Sequence, residues 1–318
     1  MSQTPPMLKR ELNVFGATMM GMGSILGTGV FVSIGIASGV AGPAIIVAIG
    51  LAALVAVCNG LNSAQLAANH AVSGGTYEYG YKYLNSWFGF TAGWTFLLAK
   101  TASAATAALG FGGYLLNLLG INTRDYLIPL GLAAVVVLTL VVLSGLRRSN
   151  VTNIVIVSVT MLALALFVIG GLPTLVQSGT ENFTPFFDPD GNPIANLLQA
   201  TALMFVAYTG YGRIATMGEE VRDPRRVIPR AIIAAMVLTM VIYLSVALVG
   251  VGAVGTEVLA GTAQTQAAPL EIAAREFDWP WVAPLVAVGA ITAMLGVLLN
   301  LILGLSRVLL AMGRRRDM

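Results

Sequence analysis

The sequence has few charged residues for its length. Lys, Arg, Asp and Glu make up 10% of its 318 residues, whereas a soluble globular domain has about 25%. Hydrophobic residues make up 57%, and the mean hydropathy is +0.85. Because so few polar side chains cannot cover a water-facing surface, the composition excludes soluble folds, and the same hydrophobicity excludes a disordered chain.

Cysteine and histidine are almost absent. Cys58 is the single cysteine, so no disulfide can form within the chain, and His70 is the single histidine. One residue of each kind cannot build a Cys/His zinc site, and the predicted spans carry neither paired carboxylates nor a histidine cluster for catalysis. The 17 Lys and Arg residues lie in short clusters between apolar blocks, which argues against nucleic-acid binding. The sequence therefore predicts no metal, no cofactor, no nucleic-acid partner and no enzyme activity.

Long hydrophobic stretches, by contrast, are abundant. Roughly 20 mostly apolar helical residues cross a bilayer core of about 30 Å, and the sequence has eight such stretches. We predict spans near 14–39, 43–69, 88–116, 126–146, 151–175, 195–218, 229–253 and 281–312. The first is too long for the apolar part of a signal peptide, and more spans follow it. The sequence thus predicts an all-α, multi-pass integral membrane protein.

The loops between these spans differ in positive charge. Because Lys and Arg resist translocation, the side of the membrane that carries more of them is expected to be cytoplasmic. Twelve of the 17 basic residues fall on the side of the N-terminus, two on the opposite side and three inside spans. We therefore expect both ends of the chain to be cytoplasmic and the protein to lie in the plasma or inner membrane.

The spans also divide the chain into segments. We expect a cytoplasmic segment at 1–13, a first set of five helices at 14–175, an extracellular loop at 176–194, three further helices at 195–312 and a cytoplasmic end at 313–318. Between the last two spans, helical spacing of apolar residues predicts a short extracellular helix near 267–277. An ordinary amphipathic loop helix without a gating role fits that segment equally well.

Glycine is concentrated in two of the spans. Residues 21–31 of the first span are rich in glycine, and the sixth span repeats the pattern at Gly210 and Gly212. Glycine costs a helix about 1 kcal/mol relative to alanine, so both stretches favour unwinding. Unwound backbone at membrane depth needs protein or a wet cavity to satisfy it. Close helix packing through small residues is the alternative reading of each stretch.

The positions of the two stretches are themselves informative. Four uninterrupted spans separate them, as two five-helix repeats would require, and the two interrupted spans cross the membrane in opposite directions. This arrangement indicates an inverted-repeat secondary transporter whose binding site lies at the midplane, between the two breaks.

Three motifs resemble those of amino acid permeases of the amino acid-polyamine-organocation superfamily. They are GSILGTGVF at 23–31, SGGTYEY at 73–79, and FVAYTGYG at 205–212 followed by EEVRDPRRVIP at 219–229. The resemblance implies a five-plus-five inverted-repeat fold, usually of twelve spans. It also implies transport of amino acids by alternating access, as symport or as antiport.

The resemblance further implies how an amino acid would be held. Gly27, Thr28 and Gly29 would bind the carboxylate at the start of a half-helix, where N–H groups and the helix dipole favour an anion. The ammonium would be bound by the carbonyl oxygens of Ile25, Val206 and Thr209, with Ser24 and Tyr208 beside the substrate and Tyr211 in the gate or pathway. Tyr208 and Tyr211 could equally be packed aromatics, and Ser24 and Thr28 could bond back to helix carbonyls.

Three basic residues fall inside predicted spans. Lys100 lies deep in the third span with no acidic residue in any span interior to pair with, which makes it a functional candidate. A desolvated lysine gives up its proton more readily, so Lys100 could carry a coupling proton, or it could only anchor packing. Arg213 stays charged and could line the pathway or pair with Glu219 or Glu220. Arg307, near the inner end of the last span, is expected to snorkel to the interface.

Two departures from the family pattern bear on function. Many proton-coupled relatives carry a lysine in the fifth span where this chain has Thr160, whose hydroxyl could instead bind sodium, could be inert, or could leave coupling to Lys100. Relatives also continue beyond eight spans. We therefore expect a fragment of a longer protein, helices supplied by a separate chain, or an inactive product.

A permease relative that binds an amino acid or a membrane partner without transport is the alternative function. A channel is disfavoured because the polar residues of the spans are isolated.

Overall fold

The computed structural model describes residues 10–121, 125–187, 191–265 and 268–318. Within these ranges the chain is helical, with no β-strand and with isolated bridges only at Leu12–Val221 and Ser73–Met217. A backbone inside a bilayer must satisfy its own hydrogen bonds, which an α-helix does within one segment. The prediction of an all-α membrane protein is confirmed.

The described residues form twelve α-helices. The first half forms α1 Val14–Ile25, α2 Ile34–Ala41, α3 Ile45–Asn69, α4 Thr76–Tyr83, α5 Ser86–Leu118, α6 Leu127–Leu143 and α7 Leu146–Ser178. The second half forms α8 Pro193–Tyr208, α9 Gly212–Ala215, α10 Pro224–Thr265, α11 Pro269–Arg275 and α12 Val282–Arg315. The described part of α10 contains one sharp change of direction, at Gly255, where φ is 80°.

Several helical stretches are long and apolar enough to cross a membrane. By length and hydropathy these are Val14–Asn69, Ser149–Ser178, Pro224–Gly261 and Val282–Arg315, and Leu127–Leu143 is a shorter apolar helix. The first stretch has 56 residues, more than twice the roughly 20 that one crossing needs, and it contains α1, α2 and α3. Helix α5 is less apolar but has 33 residues, which at about 1.5 Å per residue exceeds the bilayer core.

The interrupted first helix lies at the centre of the bundle. Helix α1 packs against α7, α10 and α12, while α12 runs along α5 and α7, and α10 runs along α2 and α3. The outer surface is apolar, as a lipid-facing surface requires: on α6 the side chains of Val136, Leu140 and Leu143 are 58%, 60% and 76% exposed. The interrupted first helix is therefore enclosed by α7, α10 and α12, and the apolar outer surface of the bundle points at lipid.

Both predicted interruptions are present, but they differ in form. Helix α1 ends at Ile25, Leu26 adopts an extended conformation with φ −74° and ψ 98°, and a π-helical turn at Gly29–Ser33 leads into α2. In the second break α8 ends at Tyr208, and a 3-10 turn at Thr209–Tyr211 leads directly into α9. The first break is thus an unwound point and the second a tightened turn.

Candidate binding site between the interrupted helices

A cavity of about 800 Å³ lies between the two breaks, α5 and α12. Most of the site residues predicted from the sequence line it: Ser24, Ile25, Thr28, Gly29, Lys100, Val206, Thr209 and Arg213. Small-molecule sites usually have volumes of about 300–1,000 Å³, so the space suits a small solute. The fold therefore brings residues from three separate parts of the sequence to one cavity.

The two breaks touch through their backbones. A Cβ atom built on Gly210 would lie 2.4 Å from the carbonyl oxygen of Ser24. A Cβ on Gly29 would lie 2.5 Å from the Cβ of Ala207 and 2.8 Å from the hydroxyl oxygen of Tyr243. Real side chains do not approach this closely, so only glycine at these positions lets the two interrupted helices meet.

Tyr243 of α10 joins both breaks with one hydroxyl group. It donates a hydrogen bond to the carbonyl oxygen of Ile25 at 2.8 Å and lies 3.4 Å from that of Ala207. The side chain is fully buried. Sequence reasoning missed this residue, although a tyrosine in the middle of an apolar span is a signal, because a buried hydroxyl usually has a partner.

Three further polar contacts around the breaks were also missed. The hydroxyl of Tyr114 on α5 donates to the carbonyl oxygen of Phe31 at 3.0 Å, within the π-helical turn. Asn153 on α7 donates to the carbonyl oxygen of Met19 at 2.9 Å, and Asn300 on α12 donates to the side-chain oxygen of Asn153. Long-range contacts of this kind satisfy polar groups beside interrupted helices in a membrane.

Some polar groups at the breaks remain available for a ligand. The hydroxyl oxygen of Ser24 is buried and has no hydrogen-bond partner among the described residues, so it does not bond back to its helix. The hydroxyl of Thr209, by contrast, bonds back to its own helix, donating to the carbonyl oxygen of Val206 at 2.8 Å. The new helical segment begins near Gly27, whose carbonyl accepts from the N–H of Phe31 at 3.1 Å. The first N–H groups of a helix have no partner within it, so the backbone that precedes Phe31 offers donors.

Three of the residues predicted for substrate binding or gating do not line the cavity. Gly27 packs against α12, where its Cβ would lie 2.3 Å from Cγ2 of Val297. Tyr208 is fully buried with its ring centroid 5.1 Å from that of Tyr243, and its hydroxyl has no hydrogen-bond partner in the described ranges. Tyr211 is 6% exposed and packs towards α3. For these two tyrosines the structure matches the packed-aromatic alternative.

The two ion-coupling candidates lie in different surroundings. Lys100 lines the cavity, its Nζ atom is 5.9 Å from the ring centroid of Phe96, and no ion pair to it occurs among the described residues. Thr160 is buried away from the cavity. Its hydroxyl contacts the carbonyl oxygen of Ile156 at 3.0 Å and the hydroxyl of Thr292 at 3.2 Å. Lys100 is therefore placed to meet a solute, whereas Thr160 faces a helix interface.

Of the two alternatives for Arg213, lining the pathway or pairing with Glu219 or Glu220, the ion pair does not form, because other arginines pair with both carboxylates. Glu219 pairs with Arg314 at 2.9 Å and Glu220 pairs with Arg307, so Arg307 does not snorkel away from the bundle. Arg213 instead donates from Nη1 to the hydroxyl of Thr216 at 2.8 Å. The sequence could not show this arrangement because both arginine partners come from the far end of the chain.

These ion pairs belong to a wider set of contacts at one end of the bundle, which we call the basic end. It comprises the segments near Leu12, 73–83, 217–226 and 307–317. Arg315 bonds both carboxylate oxygens of Glu78, at 2.6 and 3.0 Å. The N–H of Glu11 donates to the carbonyl oxygen of Glu220 at 2.9 Å. Four segments that are distant in sequence are thus held together.

Asp317 completes the basic end. The hydroxyls of Tyr77 and Tyr81 donate to its Oδ2 atom at 2.5 and 2.6 Å. These hydrogen bonds lower the pKa of the Asp317 carboxyl, and burial is the main cause of the raised pKa of Tyr77. A carboxyl whose pKa is lowered by folding stabilises the folded state at any pH above its ordinary pKa. That stability is lost as the pH falls through the lowered pKa. The contact is therefore intact at neutral pH.

We expect Glu78→Gln to loosen the basic end. The variant removes the charge that holds Arg315, and a hydrogen bond to a charged group contributes about 1.5–3 kcal/mol. The measurement uses a cysteine introduced at Thr209 in a protein from which Cys58 has been removed. A thiol reagent added on the side of the basic end should label this cysteine about tenfold faster with Glu78→Gln than without it. Asp223→Asn is the control, because its partner Arg226 is 3.8 Å away and both side chains are exposed. Equal labelling rates in both variants would contradict the expectation.

Comparison with known proteins agrees with this architecture. A family model described as amino acid permease matches residues 16–318. An uncharacterized transporter of Mycobacterium tuberculosis is 38% identical over 320 residues, which cover 99% of this chain and 68% of the relative. The branched-chain amino acid permease BcaP of Bacillus subtilis is 28% identical over 329 residues, covering 96% of this chain and 68% of the permease.

A solved structure shows the same fold. The crystal structure of MhsT in complex with L-phenylalanine matches with a TM-score of 0.66 and 15% sequence identity, over 98% of this chain and 76% of that chain. The predicted transporter fold, with interrupted first and sixth helices, is thereby confirmed. The match of the family model covers nearly the whole sequence, and the family and its relatives are membrane transporters and not enzymes. The chain therefore belongs to the amino acid permease family.

Proposed function

We propose that this protein is a secondary active transporter of amino acids that works by alternating access. The observation that carries the proposal is the direct backbone contact of the two interrupted helices, at Gly210 and Ser24, on the wall of a cavity of about 800 Å³. In transporters built from broken helices, substrates bind at such breaks near the midplane. The name of BcaP and the L-phenylalanine bound to MhsT support an amino acid as the solute.

The chemistry of the breaks suits both charged ends of an amino acid. The start of the segment after Leu26 presents N–H groups and the positive end of a helix dipole, which favour the carboxylate. The carbonyl oxygens of Ile25 and Val206 each accept a hydroxyl proton, at 2.8 Å in both cases. Each carbonyl oxygen has a second lone pair, so both can still accept from an ammonium. The hydroxyl of Ser24 can donate a hydrogen bond to the carboxylate or accept one from the ammonium.

Alternating access requires that one end of the bundle open as the other closes. The ion pairs of Glu78, Glu219 and Glu220 support the basic end as the closed side in this conformation. We place the basic end in the cytoplasm, because most of the Lys and Arg residues outside the spans lie on that side. The pairs would separate when the site opens inwards, and the protein would lie in the plasma or inner membrane.

For the coupling ion we propose a proton carried by Lys100. Its side chain lines the cavity without an acidic partner in the described residues, and an intramembrane cation costs about 2.5–3.5 kcal/mol on insertion scales, so an unpaired one is a functional candidate. Sodium is the competing ion. Thr160 supports it less, because its hydroxyl already contacts Ile156 and Thr292.

The test is amino acid flux into proteoliposomes that hold the full chain, with proton and sodium gradients imposed separately. We expect proton-driven accumulation of a neutral amino acid in the wild type and its loss in Lys100→Ala. Lys82→Ala is the control, since this lysine lies outside the predicted spans. Unchanged proton-driven accumulation in Lys100→Ala would contradict the coupling role. Binding without flux in the wild type would contradict transport and favour a permease relative that only binds its ligand.

A further inference from the structure

We propose that Arg213 binds a second anionic group of the substrate, so that the preferred substrates are amino acids with an acidic side chain. The inference rests on the proposed function and narrows its substrate class. The α-carboxylate and ammonium would be held at the breaks, and the side-chain carboxylate would reach the guanidinium of Arg213.

The first step is the unmet bonding capacity of Arg213. Its side chain lines the cavity although the residue is only 5% exposed. Nη1 donates to Thr216, whereas Nε and Nη2 are buried and have no hydrogen-bond partner among the described residues. Buried charges in proteins are normally paired, because an isolated one loses its hydration without compensation. Two free N–H donors on one guanidinium match the two oxygens of a carboxylate.

The second step is the local balance of charge. Glu220 is the acidic residue whose charge acts on Arg213, and it already pairs with Arg307. Two arginines thus share one carboxylate, which leaves a positive charge in excess. The described residues that line the cavity include the basic residues Lys100 and Arg213 and no acidic residue. The cavity therefore attracts an anionic side chain and repels a cationic one.

The third step is the position of Arg213 relative to the breaks. It lies on α9, two residues after the second break, and its Cδ atom lies 3.4 Å from the position of a Cβ on Gly304 of α12. On the same helix Met294 lies beside Gly110 of α5. Leu97 of α5 packs with Val308 of α12, so the two helices run in opposite directions and Lys100 lies near the level of Gly304. Both cations therefore lie on the same side of the breaks, where a substrate side chain would extend.

L-Glutamate and L-glutamine provide the test, because they have the same shape and differ in side-chain charge. Binding is measured by calorimetry on the full chain in lipid nanodiscs at pH 7, with L-lysine as a third ligand. We expect wild type to bind glutamate at least about tenfold more tightly than glutamine, and lysine more weakly than either. In Arg213→Gln the preference for glutamate should fall to near unity while glutamine still binds. Arg213→Lys, which keeps the charge, should retain part of the preference.

Two results would overturn the inference. One is equal or tighter binding of glutamine in the wild type, which requires no variant and therefore stands even if Arg213→Gln fails to fold. The other is an equal loss of both ligands in Arg213→Gln, which would assign Arg213 to the ion-pair network of Glu220. Absence of binding for all three amino acids would contradict the proposed function as a whole, whereas binding without a charge preference contradicts this inference alone.

Discussion

Gly210→Ala is expected to abolish high-affinity amino acid binding. The added Cβ would lie 2.4 Å from the carbonyl oxygen and 2.5 Å from the carbonyl carbon of Ser24, so the two breaks must move apart. Forcing extra atoms into a packed interior costs about 1–3 kcal/mol, which corresponds to roughly a ten- to hundredfold loss of affinity. The affinity is measured by titration of the purified chain in nanodiscs with glutamate and leucine.

Gly212→Ala is the matched control for this experiment. It makes the same change two residues away in the same break, but a Cβ on Gly212 meets no atom within 4 Å. Its backbone is helical, with φ −55° and ψ −24°, so alanine fits without strain. We expect its affinity to stay within about threefold of wild type, as for substitutions that meet no neighbour. Equal effects of the two variants would show that the contact between the breaks does not shape the site.

Tyr243→Phe is expected to weaken substrate binding about tenfold. The variant keeps the ring but removes the hydroxyl that donates to the carbonyl oxygen of Ile25 and reaches that of Ala207. A buried acceptor left without its donor costs about 1–3 kcal/mol. The carbonyl of Ile25 would then be free to turn away from the cavity, and the ammonium of the substrate would lose an oriented acceptor. Both affinity and thermal stability should be measured.

Tyr208→Phe is the matched control, because the two rings lie side by side. The hydroxyl of Tyr208 has no hydrogen-bond partner among the described residues, so its removal should leave both affinity and stability near wild type. A loss of affinity in Tyr208→Phe without loss of stability would instead show that this hydroxyl contacts the substrate, as the family resemblance implies. Unchanged affinity in Tyr243→Phe would contradict the bridging role of Tyr243.

The fold class and the positions of the breaks could be predicted from the sequence because their causes are local. Apolar residues recur over lengths that cross a bilayer, and each such stretch forms a helix or an interrupted helix. The glycines near Gly27 and Gly210 predicted where the first and sixth helices are interrupted. Hydropathy and the backbone freedom of glycine depend on residues that are neighbours in the sequence. The sequence pattern alone is therefore enough to predict both features.

The partners of polar and charged side chains depended on tertiary structure. Tyr243 and Ile25 are 218 positions apart, and no local pattern links them. The sequence left Arg213 either in the pathway or paired with Glu219 or Glu220. In the structure it lines the cavity, and α12 brings Arg314 and Arg307 to those carboxylates. Which donor reaches which acceptor is determined by helix packing. That packing leaves two donors of Arg213 without a partner beside the cavity, because Arg307 and Arg314, which are distant in sequence, pair with the carboxylates.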